Sequence, residues 1–165
     1  MGKVAELRRR HASGLDGPGE GLVCHLDYFV GTLSASMTQP PLILIVDDNL
    51  DAREMYGMYL EHEGFRWAEA VNGHDAILQT KLEKPALILM DATMPRMDGW
   101  EALRLLKEDV ATSHIPLIML TAHAFDEHRE RARKAGADGF LAKPVLPDAL
   151  AREIRQVLKL EAPAG

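Results

Sequence analysis

Five polar residues follow short apolar runs, and together they could bind a divalent cation and a phosphoryl group. They are Asp47, Asp48, Asp91, Thr121 and Lys143. If the runs are parallel strands of an open α/β sheet, their carboxyl ends line one edge, where ligand sites collect. Residues far apart in the chain would then share one pocket that contains three carboxylates, a hydroxyl and an ammonium.

This set of groups predicts metal-assisted phosphoryl chemistry. Mg²⁺ prefers oxygen ligands and commonly uses one or two carboxylates together with phosphate oxygens. Without a cation, three clustered carboxylates repel one another, and at least one resists ionisation. With the cation bound, Asp91 could attack phosphorus as a nucleophile and form an aspartyl phosphate. Lys143 and the hydroxyl of Thr121 could then stabilise charge on the outer phosphoryl oxygens.

Each residue taken alone also has an ordinary structural explanation. Asp47 and Asp48 precede a predicted helix and could cap it, and Thr121 could do the same for a later helix. The placement of all five residues at strand ends favours a shared functional site over these structural explanations. The loop from Asp91 to Gly99 adds its own turn residues.

The elements that would position these residues alternate between apolar runs and amphipathic stretches. Residues 42–46 and 86–90 are apolar at every position, as expected for strands covered on both faces. The predicted strands are 42–46, 66–70, 86–90, 116–120 and 139–142. The predicted helices are 50–63, 73–83, 99–108, 124–135 and 147–159. This alternation indicates a parallel sheet with helices on both sides.

The 165-residue chain is long enough for one domain with some residues to spare. Residues 1–41 are rich in Gly and Pro without helical or strand periodicity, which predicts a flexible arm. Met37 is an alternative natural start, because the segment Met37-Thr-Gln-Pro-Pro leads directly into the first strand. The domain is predicted at 42–160, and the tail at 161–165 is too short for an output domain, which predicts a stand-alone module.

Composition narrows the classes of partner and location. The formal net charge is −6, and residues 1–41 carry four basic and four acidic side chains, so the acidic excess lies beyond them. An acidic domain disfavours direct binding to nucleic acid. Cys24 is the single cysteine, which excludes an intramolecular disulfide. The chain has no run of about 18 apolar residues, so we expect a soluble cytoplasmic protein without a membrane span.

The motifs resemble those of one known family, the receiver domain of two-component response regulators. The resemblance covers about residues 42–160 and rests on four segments in the family's order. They are Ile-Val-Asp47-Asp48-Asn, Leu-Met-Asp91-Ala-Thr-Met94-Pro95-Arg-Met97-Asp98-Gly99, Leu-Thr121-Ala122 and Gly-Phe140-Leu-Ala-Lys143-Pro144. It implies a flavodoxin-like (βα)5 doubly wound sheet with strand order 2-1-3-4-5.

The resemblance also implies a role for each acidic residue. Asp91 would be the phosphoacceptor of this phosphoprotein. Asp48 would bind Mg²⁺ directly and Asp47 through water, with Mn²⁺ as an alternative ion. The backbone carbonyl of Thr93 would supply a further ligand.

A switch and a set of partners follow from the same resemblance. Thr121 and Lys143 would contact the phosphoryl oxygens, and the Lys143–Pro144 peptide would be cis. Movement of Thr121 on phosphorylation would make space for Phe140, where many relatives have tyrosine. The phosphodonor would be a histidine kinase or a histidine phosphotransfer protein. The output would be onward phosphorelay, or docking of a downstream target on the face formed by the fourth helix, fifth strand and fifth helix.

We therefore expect a signalling phosphoacceptor with self-catalysed phosphotransfer and autodephosphorylation, not an enzyme that turns over external substrates. One alternative is a Mg²⁺-dependent phosphatase of the haloacid dehalogenase type. Its usual Asp-x-Asp motif is absent, because Thr93 stands where the second Asp would be. The other alternative is an interaction module that is never phosphorylated, although every acidic and donor position is intact.

Overall fold

The computed structural model of the chain describes residues 39–122 and 126–160, without the side chains of residues 126–128. These residues belong to one compact unit, Gln39–Gly165. Residues 1–38 of the arm predicted at 1–41, the alternative start at Met37 and the tail at 161–165 lie outside the described residues. Within the described ranges, five strands alternate with five helices. The strands are β1 (Leu42–Val46), β2 (Arg66–Ala70), β3 (Leu87–Asp91), β4 (Leu117–Thr121) and β5 (Gly139–Ala142). The helices are α1 (Leu50–His62), α2 (Gly73–Glu83), α3 (Gly99–Glu108), α4 (Asp126–Lys134) and α5 (Pro147–Leu158).

The strands form one parallel sheet in the order β2-β1-β3-β4-β5. This confirms the predicted strand order and the doubly wound flavodoxin-like architecture. The winding direction reverses between β1 and β3, and ligands bind at the carboxyl ends of the strands on either side of such a reversal. Asp47 immediately follows β1 and Asp91 ends β3, so both stand at this point of the sheet.

Two apolar clusters cover the two faces of the sheet. Ile43 and Ile45 of β1 pack in a cluster with buried residues of α1 and α5. Leu44 and Val46 pack on the opposite face with residues of α2 and α3. All four side chains are fully buried. The uninterrupted apolar run of β1 is therefore explained by helices on both faces, because successive strand side chains point in opposite directions.

Two strands extend one residue further than the sequence predicted. The ladder between β3 and β4 includes Asp91, and the next amide, Ala92 N, still donates to Leu120 O at 2.7 Å. In the same way Thr121 pairs with Ala142 of β5. β4 begins at Leu117 instead of Pro116, which has no N–H to donate. Asp91 and Thr121 are thus held inside the sheet, not in the loops after it.

Helix ends follow local capping chemistry. The Asn49 side chain accepts from Ala52 N at 3.1 Å and caps α1, while the Asp98 side chain accepts from Glu101 N at 2.8 Å and caps α3. α5 ends at Leu158, one residue before the prediction, because Lys159 adopts a left-handed conformation. Among the described residues, no helix is long and apolar enough to span a membrane.

Gly57 lies in α1, where a glycine weakens helix propensity by about 1 kcal/mol relative to alanine. The structure supplies the reason for its presence. A Cβ at this position would lie 2.5 Å from the indole ring of Trp67 in β2. Glycine therefore lets the large Trp67 ring pack directly against the helix backbone.

Candidate functional site

Three carboxylates meet at the carboxyl edge of the sheet. Asp47, Asp48 and Asp91 each offer an oxygen atom, and these oxygen atoms all lie within 4.8 Å of one another. Asp47 and Asp91 are buried, with 1% and 6% of their surface exposed, whereas Asp48 is exposed to solvent. The cap of α1 is Asn49, so neither Asp47 nor Asp48 is occupied in capping the helix. The donor set consists of oxygens alone and fits a hard divalent cation such as Mg²⁺.

Lys143 brings a positive charge into this cluster from the end of β5. Its Nζ atom lies 2.7 Å from Asp47 Oδ2 and 3.1 Å from Asp91 Oδ2. The Lys143 amide donates to the Thr121 carbonyl at 2.7 Å, which extends the pairing of β4 with β5. The Lys143–Pro144 peptide is cis, as the resemblance implied. One ammonium thus neutralises part of the charge of two buried carboxylates.

Burial and charge compete at Asp91 and at Lys143. Burial raises the pKa of the Asp91 carboxyl above its usual value; the Lys143 ammonium opposes this shift, and the Asp47 charge adds to it. Burial lowers the pKa of Lys143, but the hydrogen bonds and charges of Asp47 and Asp91 outweigh that effect and raise it. Lys143 is therefore held as an ammonium, and ionised Asp91 is more basic than an exposed aspartate.

The backbone after β3 approaches Asp91 closely. Thr93 N donates to Asp91 Oδ1 at 3.3 Å, and Gly99 N donates to the Ala92 carbonyl at 3.1 Å. A Cβ on Gly99 would overlap the Asp91 backbone carbonyl, at 2.0 Å from its oxygen. Glycine at this position therefore allows the first turn of α3 to pack against the residue that carries the candidate nucleophile. The Thr93 carbonyl remains a predicted metal ligand.

Strand alternation divides the predicted site residues between the two faces of the sheet. Asp91 pairs in register with Leu120, which belongs to the cluster with α1 and α5. Phe140 pairs with Met119, and both belong to the opposite cluster, which includes α3 and α4 residues. Thr121 is two residues from Met119 and shares its face by alternation. The predicted switch pair Thr121 and Phe140 therefore lies on one face, and Asp91 lies on the other.

Phe140 is partly buried and packs against this second cluster. The Arg129 guanidinium of α4 lies 6.0 Å from the centre of its ring. Thr121 is buried, with 2% of its surface exposed. The switch roles of both residues remain predictions.

Sequence reasoning missed two residues beside the site, Arg53 and Tyr56 of α1. Arg53 donates from Nη1 to the Asp47 carbonyl at 2.8 Å and from Nε to Glu69 Oε2 at 3.0 Å. Burial raises the pKa of the Tyr56 phenol, and the charges of Asp47 and Asp91 add to this shift while Lys143 opposes it. Helical spacing could have identified Arg53. The buried face of α1 consists of residues 53, 56, 57 and 60, so the side chain of an arginine at position 53 points inward.

The family comparison agrees with this geometry. The model for the response regulator receiver domain matches residues 43–155. The chain belongs to the response regulator receiver family. The acidic cluster and Lys143 both lie within the matched residues.

The first curated relatives are similar to this receiver domain but longer. The phosphate regulon transcriptional regulatory protein PhoB of Klebsiella pneumoniae is 37% identical over 121 residues, which cover 73% of this chain and 53% of that protein. The chain thus spans about half the length of the first such relatives. The regulatory role in the relative's name belongs to a longer protein.

Solved receiver structures agree over nearly their whole length. The chemotaxis response regulator CheY4 of Vibrio cholerae matches with a TM-score of 0.68 and 27% identity, over 72% of this chain and 98% of that chain. The receiver domain of a signal transduction histidine kinase from Syntrophus aciditrophicus matches with a TM-score of 0.67 and 34% identity, over 72% and 90%. Receivers of this type thus occur in proteins of different organisation.

Proposed function

We propose that this receiver domain accepts a phosphoryl group from a phosphohistidine of a partner protein onto Asp91. The donor is a histidine kinase or a histidine phosphotransfer protein, and the reaction requires Mg²⁺, with Mn²⁺ as an alternative. The product relays a signal by conformational switching, followed by protein docking or onward phosphorelay. The observation that carries this proposal is the convergence of three carboxylates within 4.8 Å with a lysine 3.1 Å from Asp91.

In the proposed transfer, a carboxylate oxygen of Asp91 attacks phosphorus. The new O–P bond forms as the N–P bond of the donor breaks, and the partner's imidazole keeps the bonding electron pair. Lys143 is placed to meet the charge of the phosphoryl oxygens, because its ammonium already lies beside Asp91. The Thr121 hydroxyl, at the end of the adjacent strand, is the second proposed donor.

The cation would be held by the carboxylates of Asp47, Asp48 and Asp91, together with the Thr93 carbonyl. When bound, Mg²⁺ supplies positive charge that lowers the repulsion between the acidic cluster and an incoming phosphoryl group. The exposed position of Asp48 leaves this side of the cluster open to solvent and to the donor. Asp47, in contrast, is buried and already paired with Lys143, which suits contact with the cation through a water molecule.

The phosphodonor would approach over exposed apolar side chains next to the site. Leu50 at the start of α1 is 53% exposed, and Leu146, just after Pro144, is 70% exposed. Met55 and Met58 continue an exposed apolar surface along α1. Such side chains are suited to contact a helical partner whose histidine must reach Asp91.

The downstream target is proposed to dock on the face formed by α4, β5 and α5. A groove of about 310 Å³ lies there and is lined by Arg129, Arg133, Phe140 and Glu153 among others. It combines the predicted switch residue with charged groups, which would let a partner sense the position of Phe140. Direct nucleic acid binding is not part of the proposal, and the proposed location is the cytoplasm.

Acetyl phosphate with Mg²⁺ provides a direct test, read on a phosphate-affinity gel. We expect a shifted band for the wild type, none for D91A and none after chelation of the metal. An equal shift in D91A would contradict the proposal. Spontaneous loss of the shifted band would reflect autodephosphorylation, whereas multiple turnover of a generic phosphatase substrate would instead support an enzyme of the haloacid dehalogenase type.

A further inference from the structure

Arg53 links α1 to β1 and β2 around Asp47 and Asp48, the proposed metal-binding loop. It lies in the first turns of α1, donates to the Asp47 carbonyl at the end of β1, and pairs with Glu69 of β2. Its side chain is only 7% exposed, although it carries a permanent charge. A buried guanidinium is costly unless its N–H groups are satisfied, so both contacts restrain the geometry of this corner.

The Asp47 peptide is held from three directions. Its amide donates to the Ala70 carbonyl at 3.2 Å, which continues the ladder with β2. Its carbonyl accepts from Arg53 at 2.8 Å, and its side-chain Oδ1 accepts from Asn49 N at 2.9 Å. With both backbone groups bonded, the direction of the Asp47 side chain and the start of the Asp48 peptide are restrained.

We infer that Arg53 is a positioning residue for the cation site: it orients the Asp47–Asp48 peptide without touching the cation. This inference rests on the proposed metal-dependent function. Groups that orient metal ligands typically contribute about 10–100-fold to metal affinity. Arginine suits this role because its planar guanidinium can donate hydrogen bonds to the Asp47 carbonyl and the Glu69 carboxylate at once, whereas the lysine side chain has a single nitrogen.

The structure also contains a matched arginine far from the site. Arg155 of α5 lies 2.8 Å from Glu63 Oε2 and donates to the Glu63 carbonyl at 3.3 Å, with 17% of its side chain exposed. It therefore combines a carboxylate and a carbonyl contact as Arg53 does, at the other end of α1. R155K removes comparable interactions without changing the metal-binding loop.

The test is the Mg²⁺ dissociation constant, measured by calorimetry on the full chain for the wild type, R53K, E69Q and R155K. Thermal unfolding in chelator measures the stability of each variant separately. We expect R53K to raise the dissociation constant about 10-fold or more. E69Q should cause a smaller rise, because the carbonyl contact of Arg53 survives. R155K should leave the dissociation constant unchanged even though it lowers stability.

A second readout follows the hydrogen bond between Asn49 N and Asp47 Oδ1. In the metal-free protein, R53K should move the Asn49 amide resonance, and R155K should leave it in place. Wild-type Mg²⁺ affinity in R53K, or an equal loss in R155K, would overturn the inference. If R53K does not fold, unchanged affinity in E69Q overturns it. Absence of Mg²⁺ binding by the wild type would instead refute the proposed function on which the inference depends.

Discussion

At the scale of single residues, Lys143 determines how the buried carboxylates interact. It contacts Asp47 and Asp91 from the end of β5 and opposes the rise in the Asp91 pKa that burial causes. When no cation is bound, the Lys143 ammonium supplies the positive charge that partly balances these two carboxylates. The ammonium is therefore important both for the nucleophile and for the phosphoryl group that it is proposed to receive.

Replacing Lys143 by methionine should raise the Asp91 pKa further, because burial and the Asp47 charge would act without the opposing ammonium. Carbon-detected NMR titration of the Asp91 carboxyl in metal-free buffer measures this directly. K134M is the matched control, because Lys134 pairs with Glu130 on the solvent-exposed side of α4. An unchanged or lower Asp91 pKa in K143M would contradict this electrostatic account.

At the scale of elements, the packing of α3 on β3 depends on Gly99. Alanine there would place a Cβ 2.0 Å from a backbone oxygen, and backbone cannot yield as a side chain can. We expect G99A to lower the free energy of unfolding by about 1–3 kcal/mol. G57A is the comparison, since its Cβ would meet the Trp67 side chain and helix propensity would improve. Denaturant unfolding showing G57A to be the more damaging change would contradict this reasoning.

A cation–π contact joins α3 to α4. The Arg131 guanidinium lies 4.3 Å from the centre of the Trp100 ring. A double-mutant cycle with W100L and R131Q should give a coupling energy of about 0.5–1 kcal/mol, measured by urea unfolding. The cycle isolates this contact from other losses caused by W100L. Additive effects of the two substitutions would show that the contact does not stabilise α4.

Element boundaries illustrate what local sequence cannot supply. Asp91 and Thr121 belong to their strands because partners on neighbouring strands continue the ladder, and those partners are distant in sequence. Arg53 was not predicted to lie beside the site, because a charged residue in an amphipathic helix usually faces solvent. Here Asp47 and Glu69 accept its hydrogen bonds in the protein interior. Both differences arise from contacts between elements, not from local propensity.

At the scale of the whole molecule, the alternation of strands and helices was sufficient to predict the parallel sheet, and the family resemblance implied its order. The acidic cluster followed, because parallel strands place their carboxyl ends on one edge. The division of the site between two faces depends on register, with Phe140 and Thr121 on one face and Asp91 on the other. Register is set by the assembled sheet, which explains why motif spacing alone did not reveal it.

The acid stability of the domain should depend on the link between the end of α1 and α5. The hydrogen bond from Arg155 lowers the pKa of Glu63, although partial burial opposes this. A depressed carboxyl pKa stabilises the fold above the ordinary Glu value, and this contribution is lost as pH falls through the lower folded-state value. E63Q should therefore cost about 0.2–1 kcal/mol at neutral pH and nothing in strong acid. Thermal unfolding of both proteins across this range tests it, and a pH-independent difference would contradict it.

Asp91 is the proposed phosphoacceptor of this receiver domain. The most direct measurement is borohydride trapping after incubation with acetyl phosphate and Mg²⁺, followed by peptide mass spectrometry, because reduction converts an aspartyl phosphate to homoserine. We predict homoserine at position 91, absent when the metal is chelated. Homoserine at position 47 or 48, or unmodified Asp91 in a folded Mg²⁺-bound protein, would contradict the account.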